Sequence, residues 1–188
     1  MANIFSRKYQ PHRIGAIIAV GLTTILVVRA RNTIIQEPKV QVSPAPELSG
    51  GPWLNTPSPI KLSSRKGKVT MVEFWTFQCS NCRANLDTYE RWQKKYSPSG
   101  FTILAIHTPE LPDEYKPELV KDFIAKKGIT YPVLLDNDYA NWSRWKQEYW
   151  PAIYLLDKSG NIREKWLGEL GSDGTAKVEA KIEALLKE

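Results

Sequence analysis

Histidine and cysteine are scarce in this chain, with two of each among 188 residues. The cysteines stand together at Cys79 and Cys82, whereas His12 and His107 lie far apart, one of them in the N-terminal tail. A closed zinc site needs four ligands, so the Cys-x-x-Cys pair is at most half of one. Acids are missing from residues 1–31, which hold Arg7, Lys8, Arg13, Arg29 and Arg31. The formal net charge of +6 is therefore local: with these five set aside, 21 basic residues face 20 acidic ones. The remaining chain has no cationic surplus with which to grip phosphates, which argues against a nucleic-acid partner. Long apolar runs are also missing, apart from the uncharged stretch Ile14 to Val28, and no internal repeat is present.

That stretch of 15 residues is short for a membrane span, but Arg13 and Arg29 can carry their charged heads to the interface. A basic segment followed by an apolar one is equally the build of a secretory signal. Arg29 and Arg31 follow at once and no small-x-small cleavage site stands out, which favours an uncleaved signal-anchor over a cleaved signal. The slight excess of positive charge ahead of the run places the following domain on the extracytoplasmic side, periplasmic or luminal. Residues 1–31 are thus read as the anchor segment, 32–52, with Pro38, Pro44, Pro46, Pro52 and Gly50-Gly51, as a tether, and 53–188 as one globular domain.

Within the domain, Ile60-Lys61-Leu62 alternates as a short edge strand would. Val69 to Trp75 is a β-branched and aromatic run that reads as a buried strand and passes without Gly or Pro into the cysteines. Leu86, Tyr89 and Trp92 then recur at helical spacing. Phe101 to Ile106 is a second strand, and a helix follows with Pro117 in its first turn, a stripe of Leu119, Val120, Phe123 and Ile124, and Gly128 at its close. Tyr131 to Leu135 is a third strand, Asp138 a cap for a short helix carrying Trp142 and Trp145, and Ala152 to Leu156 a fourth strand. A turn at 157–161 leads to a fifth strand, Ile162 to Leu167, and Val178, Ile182, Leu185 and Leu186 mark a terminal amphipathic helix. The order predicts an α/β fold whose sheet is covered on both faces.

The chemistry concentrates where the first long strand feeds a helix. Unpaired N–H groups and the positive end of the helix dipole favour a thiolate at Cys79. Two thiols at this spacing can exchange with another protein's disulfide, Cys79 attacking and Cys82 resolving; a static structural disulfide and half a metal site are the alternatives. Glu73 sits at an even offset from Trp75 and Phe77 inside the apolar strand, facing the helix. A carboxyl buried there has a raised pKa and suits acceptance of the Cys82 proton, unless it faces solvent. Pro151 opens a buried strand. A cis bond after Trp150 would expose that residue's N–H and C=O to an extended substrate, although spacing alone gives no reason for cis. Phe77, Gln78 and Trp150 flank these groups as candidate substrate contacts. His107 ends its strand either as a proton shuttle or metal ligand, or as an ordinary strand-end histidine.

Assembled, Phe74-Trp75-Thr76-x-x-Cys79-x-Asn81-Cys82, His107-Thr108-Pro109-Glu110, Asp136-Asn137-Asp138-Tyr139-Ala140 and Tyr149-Trp150-Pro151-Ala152 resemble the membrane-anchored TlpA/ResA group of thioredoxin-like proteins, most nearly the thioredoxin-like domain of DipZ-type proteins. The match runs over about residues 53–187. It implies a thioredoxin-like fold, a central mixed sheet flanked by helices, with an inserted strand and helix of the TlpA type at 101–127. It also implies Cys79 as nucleophile, Cys82 as resolving thiol, Pro151 as the cis-proline facing them and Glu73 as the buried acid. No metal or cofactor is expected beyond the redox-active Cys79–Cys82 pair. Expected partners are proteins carrying disulfides or thiols and a membrane protein that donates or accepts electrons. Ser80-Asn81 between the cysteines and Trp150 before the proline depart from thioredoxin itself. No proline stands with Thr76 ahead of Cys79 at the spacing of a peroxiredoxin's proline and threonine pair.

Overall fold

The computed structural model describes residues 42–188; the apolar run 14–28 and the first part of the expected tether, residues 32–41, lie outside them. Among the described residues no helix is long and apolar enough to cross a membrane. The chain forms β1 (Ser43–Pro44), β2 (Trp53–Leu54), β3 (Val69–Trp75), α1 (Ser80–Tyr96), β4 (Phe101–His107), α2 (Pro117–Lys127), β5 (Val133–Leu135), α3 (Ala140–Arg144), β6 (Ala152–Leu156), β7 (Asn161–Leu167) and α4 (Gly171–Lys187), with 3₁₀ turns at Leu62–Arg65, Ser97–Ser99 and Pro112–Tyr115. One mixed sheet runs in the order β1-β7-β6-β3-β4-β5-β2. β3, β4 and β5 are parallel to one another, while β6 pairs antiparallel with both β3 and β7.

β3 lies at the centre with all seven residues buried, so it has no solvent face and reads as an unbroken apolar run. Its residues alternate between two cores. Val69, Met71 and Trp75 meet Leu86, Trp92, Val120, Val178 and Ile182 from the helices, and Val72 and Phe74 meet Trp145, Tyr154 and Leu156 on the other face. α1 turns Cys82, Asn85, Leu86, Tyr89, Trp92 and Tyr96 inward at three- and four-residue steps. Gly128 closes α2 with φ +66°, its N–H reaching the carbonyls of Ile124 and Ala125.

Several expectations need correction. Residues 43–52 are packed onto the domain rather than serving as tether: β1 pairs with β7, Leu48 is buried, and the Glu47 carboxylate accepts the N–H groups of Leu48, Leu62 and Ser63. Gly51 is there for closeness of approach. With φ +55°, it lies where a Cβ would collide with the carbonyl oxygen of Leu135. Ile60–Leu62 forms no strand; Leu62 opens a 3₁₀ turn because its N–H bonds to Glu47 instead of to a neighbouring strand. The third predicted strand shortens to Val133–Leu135. The strand at 101–107 is no peripheral insertion, since β4 pairs in parallel along the whole of β3. Asp136, rather than Asp138, caps α3 by accepting the N–H groups of Asn141 and Trp142 at 2.9 Å. Asp138 reaches only the N–H of Ala140.

Candidate active site

At the C-terminal end of β3 the backbone leaves the sheet through Thr76, Phe77 and Gln78 and enters α1 at Cys79. Cys79 is the N-cap, with φ −64° and ψ 118°, and its Sγ accepts the N–H of Cys82 at 3.2 Å. Both cysteines are free thiols, Cys79 half-buried and Cys82 buried. Their pKa values are driven apart. The Cys82 thiol, followed by the N–H groups of Cys82 and Asn81, outweighs burial and the Glu110 charge to bring Cys79 from 9.0 down to about 7. Burial, then the neighbouring Cys79 sulfur, pushes Cys82 far up. Near neutral pH one sulfur is thus half ionised and the other holds its proton.

Glu73 sits on the face of β3 that packs against α1. Its register row is Ile153, Glu73, Ala105 and Val133 across four strands. It is fully buried, and neither carboxylate oxygen has a hydrogen-bond partner. Desolvation, reinforced by the charge of Glu90, raises its pKa well above the ordinary carboxylate range. Cys82 lies within reach of its charge, as do the buried phenols of Tyr89 and Tyr131.

The Trp150–Pro151 peptide bond is cis, as the resemblance implies, and Pro151 is buried where β6 begins. The Trp150 indole stacks on Trp142 with ring centres 3.9 Å apart and donates through Nε1 to the carbonyl of Thr108 at 3.1 Å. Its side chain is held by the fold, and Tyr149 beside it is the exposed aromatic. Phe77 is half-buried against the His107 and Phe123 rings. Gln78 turns its side chain to solvent while its N–H is taken by Glu114. A groove of about 570 Å³ opens next to it, lined by Phe77, Gln78, Arg83, Leu119, Phe123 and Lys126 among others.

His107 is fully buried between Trp75 and Phe77, with Nε2 3.4 Å from the Thr76 hydroxyl. Burial brings its pKa down to about 4, so the ring stays neutral at physiological pH, walled off from solvent. Among the described residues no group of three or more His, Cys, Asp or Glu side chains assembles that could hold a metal.

Sequence reasoning gave two site carboxylates no role of their own. Glu114, in an exposed 3₁₀ turn, is itself buried and accepts three N–H groups. Asp136 joins α3 to the Thr108 hydroxyl, 3.2 Å away. Neither carries a periodic signal. The one cue at Glu114 was Pro112 opening a turn, and at Asp136 its place between a strand and a helix.

A βαβ unit with a Cys-x-x-Cys pair at its helix N-terminus, joined to a β-hairpin and a closing helix with a cis-proline at the hairpin's start, defines a thioredoxin-like domain. The chain belongs to the AhpC/TSA family, whose model matches residues 43–165. It is 42% identical over 128 residues to DipZ of Mycobacterium bovis, a match that covers 66% of this chain and 18% of that protein. The chain therefore corresponds to less than a fifth of that relative's length. It is 30% identical over 147 residues to the thiol-disulfide oxidoreductase YkuV of Bacillus subtilis, covering 77% of this chain and 95% of YkuV. Among solved structures, a thioredoxin-like protein in its oxidised form superposes with a TM-score of 0.68 at 29% identity, over 78% of this chain and 96% of that one.

Proposed function

We propose that this protein is a thiol–disulfide oxidoreductase that works on disulfides of other proteins, by reduction or exchange. The observation that carries the reading is the pair at the start of α1, where Cys79 is poised to ionise and Cys82 is held protonated. The Cys79 thiolate attacks one sulfur of a substrate disulfide; a bond forms to Cys79 and the other substrate sulfur leaves as a thiolate. In the fraction of molecules whose Glu73 carboxyl is ionised, that carboxylate then takes the proton of Cys82, and the Cys82 thiolate attacks Cys79. The Cys79–Cys82 bond closes, the second substrate sulfur departs, and two electrons have passed to the substrate. Glu73 is the acceptor of choice because it is buried on the α1 side of β3 and has no other partner. Phe77 and Gln78, directly before Cys79 in the chain, and Trp150, directly before the cis-proline, are the proposed substrate contacts, and the groove beside Gln78 offers room for the chain flanking a substrate cysteine.

The likeness to DipZ and the apolar run 14–28 support a setting outside the cytoplasm, with the domain held at a membrane and its electrons exchanged with a separate membrane protein. The working direction is reduction. Redox titration of the full chain with thiol labelling tests the chemistry, and a Cys82→Ser trap tests the partners. The reading expects a potential above about −300 mV and mixed disulfides formed through Cys79. A lower potential with no exchange means a structural disulfide. Capture mainly of proteins that accumulate reduced in a deletion strain means an oxidant.

A further inference from the structure

The carboxylate of Glu114 lies on the loop after β4, yet it bonds to the loop that presents Cys79. Its Oε1 accepts the N–H of Gln78 at 2.9 Å, and its Oε2 accepts those of Glu110 at 2.7 Å and Leu111 at 2.8 Å. Burial pushes this carboxyl up, but the Thr76 side chain and the N–H groups of Glu110, Leu111 and Gln78 more than offset it, and the net shift is downward. Glu114 is therefore a stable buried anion, and backbone dipoles balance it in place of a cation. Gln78 is the residue directly before the nucleophile. Glu110, whose N–H shares the same carboxylate, is the acid whose charge bears on Cys79.

We propose that Glu114 is a positioning residue for the thiol chemistry: it clamps the peptide before Cys79 to the loop after β4, and so fixes the sulfur over the first turn of α1. The inference rests on Cys79 being the nucleophile. The donors that favour its thiolate are the Cys82 thiol and the N–H groups of Cys82 and Asn81, and all act only while Sγ is held at the helix end. Among these influences Glu110 is the smallest and of opposite sign. Releasing the loop must accordingly raise the midpoint at which Cys79 ionises. The titratable groups around the sulfur are Cys82 on α1 and Glu110 on the clamped loop, with Glu73 on β3 acting on Cys82.

The test is the pH profile of iodoacetamide alkylation of Cys79 in the reduced full chain, which requires no substrate or turnover. Glu114→Ala removes all three acceptor contacts. Glu114→Gln leaves one good acceptor and turns an NH₂ towards N–H donors. A one-unit rise in the midpoint slows alkylation near pH 6 about tenfold and leaves the rate near pH 10 within about twofold. Glu110→Gln, which removes only the charge, should move the midpoint the other way. An unchanged midpoint in folded Glu114 variants overturns the proposal, as does a loss of rate equal at every pH. Amide exchange in the wild-type chain gives an answer even if no variant folds: the Gln78 N–H must be strongly protected, and free exchange there refutes the clamp. If the wild-type Cys79 reacts no faster than an ordinary thiol, the redox reading itself fails.

Discussion

Replacing Glu73 with Gln removes a buried carboxyl that no donor satisfies and leaves its shape in place. The sign of the effect on stability follows from linkage. As pH climbs through the ordinary carboxylate range the unfolded chain releases this proton, while the folded chain, with its pKa raised by desolvation and by Glu90, retains it. The wild type accordingly loses about 1.4 kcal/mol relative to the variant for each pH unit between the unfolded and the folded pKa, after which the difference is constant. For a chain of this size 1 kcal/mol shifts Tm by about 2–4 °C, so the two melting temperatures should diverge by roughly 3–5 °C per unit. His107 and Cys79 titrate in both proteins and cancel in the comparison, and Cys82, pushed up mainly by burial and the Cys79 sulfur, keeps its proton in the folded state of both. The same variant separates the chemical steps: attack by Cys79 on a model disulfide should be little changed in stopped flow, whereas closure by Cys82 slows about 10²–10⁴-fold and mixed disulfides linger. Parallel Tm curves over about pH 5–9, together with an unchanged closure rate, would show that the Glu73 carboxyl meets water and accepts no proton from Cys82.

The remaining expectations concern other groups. In the wild type, Cys79 labelling should rise with a midpoint at about pH 7 while Cys82 stays unlabelled until the chain unfolds, which mass spectrometry of the two-thiol peptide reads directly. His107 is held neutral down to about pH 4 while an unfolded histidine binds its proton near 6.5, so its contribution is constant above 6.5 and falls by about 3 kcal/mol on acidification to 4; urea titrations of His107→Gln should show this acid loss abolished. Asp136→Ala strips the cap from α3 and the bond to Thr108, and should cost about 2–3 kcal/mol, a fall in Tm of roughly 5–10 °C by calorimetry. Asp136→Asn should recover part of that loss.

What could be read from the sequence had either period or adjacency behind it. β3 and β4 announced themselves as continuous apolar runs, α1, α2 and α4 as stripes, and the burial of Glu73 followed from its unbroken apolar neighbours. Two-residue strands have no period to detect, so Ser43–Pro44 and Trp53–Leu54 were lost in a Pro- and Gly-bearing segment that resembles a linker. Sheet order was equally invisible. Nothing local distinguishes β4, beside the cysteine strand, from an added edge element, because both read as buried strands followed by a helix. Glu114 and Asp136 were missed for a different reason. A carboxylate that gathers N–H groups from a distant loop is defined by where the backbone passes, and composition at its own position says only that the turn is polar.

The two outermost strands of the sheet, β1 and β2, both come from the single stretch 43–54, which runs from one rim of the sheet to the other. An open rim is a template on which a second chain can polymerise. Here one short segment blunts both rims at once, and Arg163, Glu164 and Lys165 guard the part of β7 that it leaves uncovered. A version of the protein trimmed to begin at Trp53, where composition would place the domain boundary, keeps both cysteines and β2 but bares the β7 rim. Its failure would be one of solubility, with colonies that express the protein and yield inclusion bodies, even though every residue of the thiol chemistry is still encoded.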